Sequence, residues 1–220
     1  MNKKLIQEIL KTVKEKTSKR NFKQSVDMIV VCTGLDLKKP EHNINAFINL
    51  HHGTGKKVSV CALVGAELKV SAKETCDQVI SDNEFDKFKD KKDAKKLADK
   101  YDFFIAQATI MPKIATAFGR VFGPKGKMPN PKAGCVVPPN ANLKPLYEKL
   151  QKVVKAQIKN QPIIQCKIGV EDQDEAEVVD NIFTFYNNLI NVLPNGVHNI
   201  KNVQLKLTMG SSYIIQDKKE

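Results

Sequence analysis

The sequence predicts two domains of different class: an α+β domain built from both ends of the chain, and an α/β domain inserted between them. Strand candidates in residues 1–57 and 152–220 alternate apolar with polar positions, as a sheet with one wet face requires, whereas those in 58–151 are nearly continuous apolar runs. Within that middle stretch helix and strand candidates take turns, the order of an open α/β layer. The change of pattern on either side of the middle implies two connections and a hinge.

Leu5, Ile6, Ile9, Leu10 and Val13 recur at helical spacing between lysines, so the first sixteen or so residues read as an amphipathic helix. "FKQSVDMIVV" follows with Phe22, Gln24, Val26, Met28 and Val30 on one face, which is a strand. After a polar turn around Lys38–Glu41, "NINAFINL" places Ile44, Ala46, Ile48 and Leu50 on one side of a second strand. "HHGTGKK" breaks the pattern, and Gly53 and Gly55 are assigned to the hinge.

In the middle, "VSVCALVG" reads as a buried strand, "ELKVSAKETC" as a helix, "DQVI" as a short strand and "EFDKFKDKKDAKKLADKY" as one charged helix. "DFFIAQA" is a further buried strand, "PKIATAF" opens a helix on a proline, a glycine loop follows, and "LKPLYEKLQKVV" closes the region as a helix. Beyond it, "PIIQCKIG" alternates Ile164, Cys166 and Ile168 with polar residues. Val178, Val179, Ile182, Phe185, Leu189 and Leu193 mark a helix with acids at its N-terminus. "NVQLKLTMG" turns Val203, Leu205 and Leu207 inward. Half-polar strands with two amphipathic helices make a helix-backed, mostly antiparallel sheet.

A chain of 220 residues buries roughly 70% of its unfolded surface without help from disulfides or metal. Its 36 basic residues against 24 acidic ones give a net charge of +12, which points to a polyanionic partner, nucleic acid being the common one. No apolar run approaches the length of a membrane span, and the N-terminus lacks the apolar core of a secretory signal, so the cytoplasm is expected. Cys32, Cys61, Cys76, Cys135 and Cys166 are scattered singly and read as free thiols, mostly buried. His51 and His52, as neighbours in an extended segment, point to opposite faces and make a poor metal site. Neither metal nor cofactor is expected.

"GRVFGPKGKMPNP" invites a phosphate-binding reading and fails it. A nucleotide P-loop needs glycine where Val121 stands and a hydroxyl where Met128 stands, and glycines at 119, 123 and 126 miss the dinucleotide spacing. The run lies within residues 103–147, which hold no acid but contain Lys113, Arg120, Lys125, Lys127, Lys132 and Lys144. It is therefore expected to be a rigid basic surface loop, held by Pro124, Pro129 and Pro131, that offers its cations to polyphosphate. No serine, cysteine, histidine or paired-carboxylate motif supports catalysis. "RNFKQSVD" and "LKLTMGSS" instead combine small polar groups with one apolar tip at strand ends, ingredients for recognising RNA by shape.

"RNFKQSVD", "DFFIAQA", "GPKGKMPNP", "ANLKPL" and "KLTMGS", in this order and spacing, resemble the large-subunit ribosomal protein L-one family in its archaeal form. The resemblance implies a discontinuous split-βαβ α+β domain and an inserted Rossmann-like three-layer α/β domain. It implies binding to the mobile stalk of large-subunit rRNA, help in releasing deacylated tRNA from the exit site, and repression of translation through the protein's own mRNA. By position, Phe22, Lys23, Gln24, Ser25 and Asp27 from the first strand and Lys206, Thr208, Met209 and Gly210 from the last would form the RNA surface, with Lys167 assigned to it as well. Asp27 would orient RNA hydroxyls or neighbouring side chains. Arg120, Lys125, Lys127 and Lys132 would give secondary RNA contacts. Lys23, Asp27 and Ser211 depart from the threonine, glutamate and proline usual at these positions, and "GCVVPP" looks longer than in relatives. The free protein is expected to be a monomer with no membrane partner. The rival expectation is a nucleotide-dependent α/β enzyme.

Overall fold

The computed structural model describes residues 2–36, 38–39, 42–88, 90–158 and 160–215. From the N-terminus come α1 (Lys3–Lys16), β1 (Ser25–Cys32), β2 (Asn45–Asn49) and β3 (Val60–Val64). α2 (Lys69–Thr75), β4 (Gln78–Ser81), α3 (Lys91–Lys100), β5 (Phe103–Gln107) and α4 (Met111–Lys125) follow. Then come β6 (Val136–Val137), α5 (Leu143–Leu150), β7 (Val153–Gln157), β8 (Ile163–Val170), α6 (Glu175–Val192), β9 (Ile200–Leu207) and β10 (Tyr213–Ile215). The chain divides into two compact units, residues 1–56 with 152–220, and residues 57–151.

The first unit is α+β. Its four-stranded sheet has the order β10-β9-β1-β8, and every neighbouring pair is antiparallel. Val26, Met28, Val30 and Cys32 of β1 share a buried face with Ile164, Cys166 and Ile168 of β8 and Val203, Leu205 and Leu207 of β9. That face joins one core with Ile6, Leu10 and Val13 of α1 and Val178, Ile182, Phe185 and Leu189 of α6. Alternation in the strands follows from this one-sided cover. The Asn2 side chain accepts the Lys4 N–H at 3.1 Å to start α1, and Asp174 does the same for α6 through Ala176 at 3.2 Å. β2 and β7 form a separate two-stranded antiparallel ladder from Asn45↔Gln157 to Asn49↔Val153.

The second unit is α/β, a parallel sheet of order β4-β3-β5-β6 whose strand β3 is buried throughout. Phe104, Phe118 and Phe122 stack at its core with ring centroids 4.4 and 5.0 Å apart, and Phe85 meets Phe118 edge-on at 5.4 Å. Gln151 accepts the Val58 N–H at 2.8 Å and donates to the Val58 carbonyl at 2.9 Å, tying the first residues of this unit to its last.

Several local expectations change. The strand beginning at Phe22 starts only at Ser25, so Phe22 lies outside it. The single charged helix is a 3-10 turn, Asp82–Phe88, followed by α3, because Glu84 turns back to accept the Ser81 N–H at 3.1 Å and Phe85 drops into the core. The helix read through "LKPLYEKLQKVV" ends at Leu150, and its β-branched tail instead opens β7 against β2. The glycine loop is in large part helix: α4 runs through Gly119, Gly123 and Pro124 because Ile114, Phe118, Val121 and Phe122 form a buried stripe. Gly126, at φ 64°, ends it, its N–H bonded to Gly123 O and the Lys127 N–H to Phe122 O, both at 2.9 Å. β6 and β10 are additional strands. Part of the turn expected around Lys38–Glu41, and Lys89 in the charged helix, lie outside the described residues.

Among the described residues no helix is long and apolar enough to cross a membrane. The five cysteines are unpaired thiols, four of them buried, and burial pushes Cys61 up to about 12 and Cys76 and Cys135 to about 11.

Candidate nucleic-acid interface

The β1–β9 ladder ends at Val26↔Leu207, and side chains extend it by one step. Thr208 donates its N–H to Ser25 O at 3.1 Å, and the Ser25 N–H donates to Thr208 Oγ1 at 2.9 Å, so the hydroxyl stands where a strand carbonyl would. The chain then turns, with the Gly210 N–H on Leu207 O at 2.9 Å. Gln24 braces this turn: it is fully buried, its side-chain oxygen accepts the Met209 N–H at 3.2 Å, and its carbonyl accepts the Glu171 N–H at 2.9 Å. A Cβ on Gly210 would lie 2.6 Å from Thr17 Oγ1, and that hydroxyl is itself fixed on Val13 O, so only glycine fits there.

The result of this bracing is outward display. Met209 is 60% exposed and Phe22 51%, two large apolar side chains left in solvent by segments that the Gln24–Met209 bond holds together. Lys23 pairs with Asp172 at 2.9 Å, and this hydrogen-bonded partner raises its pKa.

On the outer sheet face, Asp27 stands in register with Lys206 of β9 on one side and Lys167 of β8 on the other. Partial burial pushes the Asp27 carboxyl up, the two ammonium groups pull against that shift, and the net direction is upward. A cavity of about 310 Å³ opens there, lined by Asp27, Ile29, Gln165, Cys166, Lys167 and Lys206.

Structure thus gathers the strand-end residues: Gln24, Ser25, Thr208, Met209 and Gly210 through backbone and side-chain hydrogen bonds, and Asp27, Lys167 and Lys206 as one cross-strand row. Gln24 acts from beneath this surface. Thr17, which dictates the glycine, carries no sequence signal, and Asp172 was visible only as one acid in a run of them.

The insert's cations behave differently. Lys125 is ion-paired with Asp99, and Lys127 donates to Tyr101 O at 2.6 Å, so both tie the end of α4 to its own unit. Lys113 pairs with Asp82 at 3.2 Å. The segment without acids in sequence therefore meets acids in space. Arg120 and Lys132 are exposed. At the C-terminal ends of β3 and β5, where an open α/β layer takes its ligand, the buried Gln107 amide accepts the Gly65 N–H at 2.9 Å and donates to Glu67 at 3.2 Å. An amide and an acid therefore stand at this end of the sheet.

Gly53 O accepts from Gln173 Nε2 at 2.9 Å. Gly55 has φ 71°, and a Cβ on it would lie 2.3 Å from a Val170 methyl, so the crossing is seated on β8 before it leaves the unit. The chain bends at His51–His52, and both rings reach Asp180, at 2.7 and 3.8 Å. Among the described residues no group of three or more His, Cys, Asp or Glu is placed to hold a metal.

Comparison with known proteins shows the family. Residues 13–211 match the model of the ribosomal protein L1p/L10e family. The large ribosomal subunit protein uL1 of Thermococcus kodakarensis is 39% identical over 211 residues, covering 95% of each chain. Those of Methanobrevibacter smithii and Pyrococcus abyssi are 42% and 40% identical, covering 92% and 93% of this chain and 94% and 92% of theirs. The chain belongs to the ribosomal protein L1p/L10e family, a family of ribosomal proteins and not of enzymes.

Proposed function

We propose that the chain is a structural component of the large ribosomal subunit, at work on cytoplasmic ribosomes, that binds the mobile stalk of the rRNA through its first unit. The carrying observation is the braced turn at the end of β1 and β9, which exposes Phe22 and Met209 beside Lys23, Lys167 and Lys206. Exposed apolar tips pack on splayed bases or sugars, small polar groups let the backbone approach, and the cations meet phosphates. Asp27, in register between its two lysines, would orient them or RNA hydroxyls and offset part of their charge.

The finer roles that the resemblance implies belong to the same proposal: assistance in release of deacylated tRNA from the exit site, and repression of translation through the same surface on the protein's own mRNA. Gly53 and Gly55 would serve as the hinge, and Arg120 and Lys132 as secondary RNA contacts of the insert. We assign Lys125 and Lys127 a lesser share, since each already holds an internal partner. The free protein is proposed to be a monomer. A nucleotide-dependent enzyme is disfavoured by Gln107 and Glu67 at the ligand end of the parallel sheet.

Titration tests this. An rRNA stalk helix with its internal loops should bind tightly, with an affinity that falls as salt rises through counterion release, while ATP and NAD do not bind. Tight nucleotide binding without RNA affinity would overturn the proposal.

A further inference from the structure

β7 and β8 are successive strands that belong to different sheets: β7 pairs with β2 and β8 with β1. Between them lies an open cleft of about 550 Å³ lined by Lys155, Gln157, Asn160, Gln161, Ile163 and Gln165. Four of these six side chains are carboxamides, one is a cation that lies over the Phe47 ring at 5.9 Å, and none is acidic. Carboxamides offer donor and acceptor side by side, the pattern that matches the pairing edge of an unstacked base. The cleft also adjoins the proposed rRNA surface, because Gln165 borders both this cleft and the cavity at Asp27, Lys167 and Lys206. From Lys167 to Ile163 the strand advances about 13 Å, at roughly 3.3 Å per residue.

We propose that the β7–β8 cleft is a second RNA subsite, which takes an unpaired strand running off the helix held at the β1–β9 end. This rests on the rRNA-binding reading above. A paired helix does not suit the cleft, since in a duplex the pairing edge that carboxamides would read is already taken up by the opposite strand. An extended peptide added to a strand edge is the competing occupant. The lining of carboxamides and a cation, with Lys167 and Lys206 at the adjoining cavity, favours RNA.

The full chain tests this with two RNAs: the stalk helix alone, and the same helix carrying a short unpaired tail at either end. Wild type should bind one of the tailed RNAs about tenfold more tightly than the bare helix. Asn160→Glu combined with Gln161→Glu should abolish that gain, keep the affinity for the bare helix and melt as wild type does. A wild type that gains nothing from either tail, or a double variant that keeps the gain, overturns the subsite and leaves a peptide as the occupant to seek. Thr208→Ala separates the two claims by weakening binding to both RNAs. If it weakens neither, the strand-end site fails, and the cleft as its extension fails with it.

Discussion

The two units each carry glycines and lysines near a sheet, and they use them in opposite ways. In the first unit a buried glutamine and a glycine pressed on Thr17 hold a turn rigid, and the apolar tips face solvent. In the insert Gly119, Gly123 and Gly126 lie within or just beyond a helix, and two of its lysines close internal contacts. One-sided burial accounts for the difference. A sheet with helices on one face keeps another face available for a partner, whereas a parallel sheet buried throughout its central strand directs its polar groups inward. Basic composition points to a polyanion partner for the chain, and burial and pairing are what single out a candidate surface for it.

The contrast can be broken at the core first. Phe118→Ala should cost about 3–5 kcal/mol in the second unit, read by denaturant unfolding. Affinity for the rRNA stalk should survive wherever that unit stays folded, and a parallel loss of affinity would mean the insert carries the site. Gly210→Ala forces a methyl group onto Thr17 and should cost about 1–3 kcal/mol, with RNA affinity falling alongside. Adding Thr17→Ala removes the clashing atoms and should restore both. Gly126→Ala tests the other glycine type: at φ 64° it should cost only about 1 kcal/mol, and stalk affinity should not move.

The smallest effect belongs to Asp27, whose folded-state pKa is raised chiefly by burial. The native state holds this proton at a pH where the unfolded chain has released it. Its contribution is therefore full below the unfolded pKa and is lost as pH rises through the folded value. Asp27→Asn should flatten that segment of the stability profile, measured by unfolding across the acid range. An unchanged profile would place Asp27 in water.

Periodic elements were legible in the sequence. α1, α6, β8 and β9 follow from their stripes, because each buries a single face against the same core. β6 and β10 span two and three residues, too short for any period to register. The end of α4 was hidden for another reason: glycine and proline are strong local punctuation, and a buried stripe of Phe118, Val121 and Phe122 overrides them until Gly126. Gln24 is instructive. Alternation put it on the inward face with Val26, where it lies, while resemblance put it on the RNA, and the structure makes it the brace between the two. Phe22 shows the reverse error, since the alternation was carried past the last ladder pair.

The central claim is that the strand-end turn of the first unit, and not the basic segment of the insert, carries affinity for the rRNA stalk. Measuring that affinity for Phe22→Ala with Met209→Ala, against Arg120→Gln with Lys132→Gln, tests it most directly. All four side chains are exposed, so both variants should keep wild-type stability within about 0.5 kcal/mol per site. Affinity should fall about 10- to 100-fold in the first and less than about threefold in the second. The reverse order would contradict the claim.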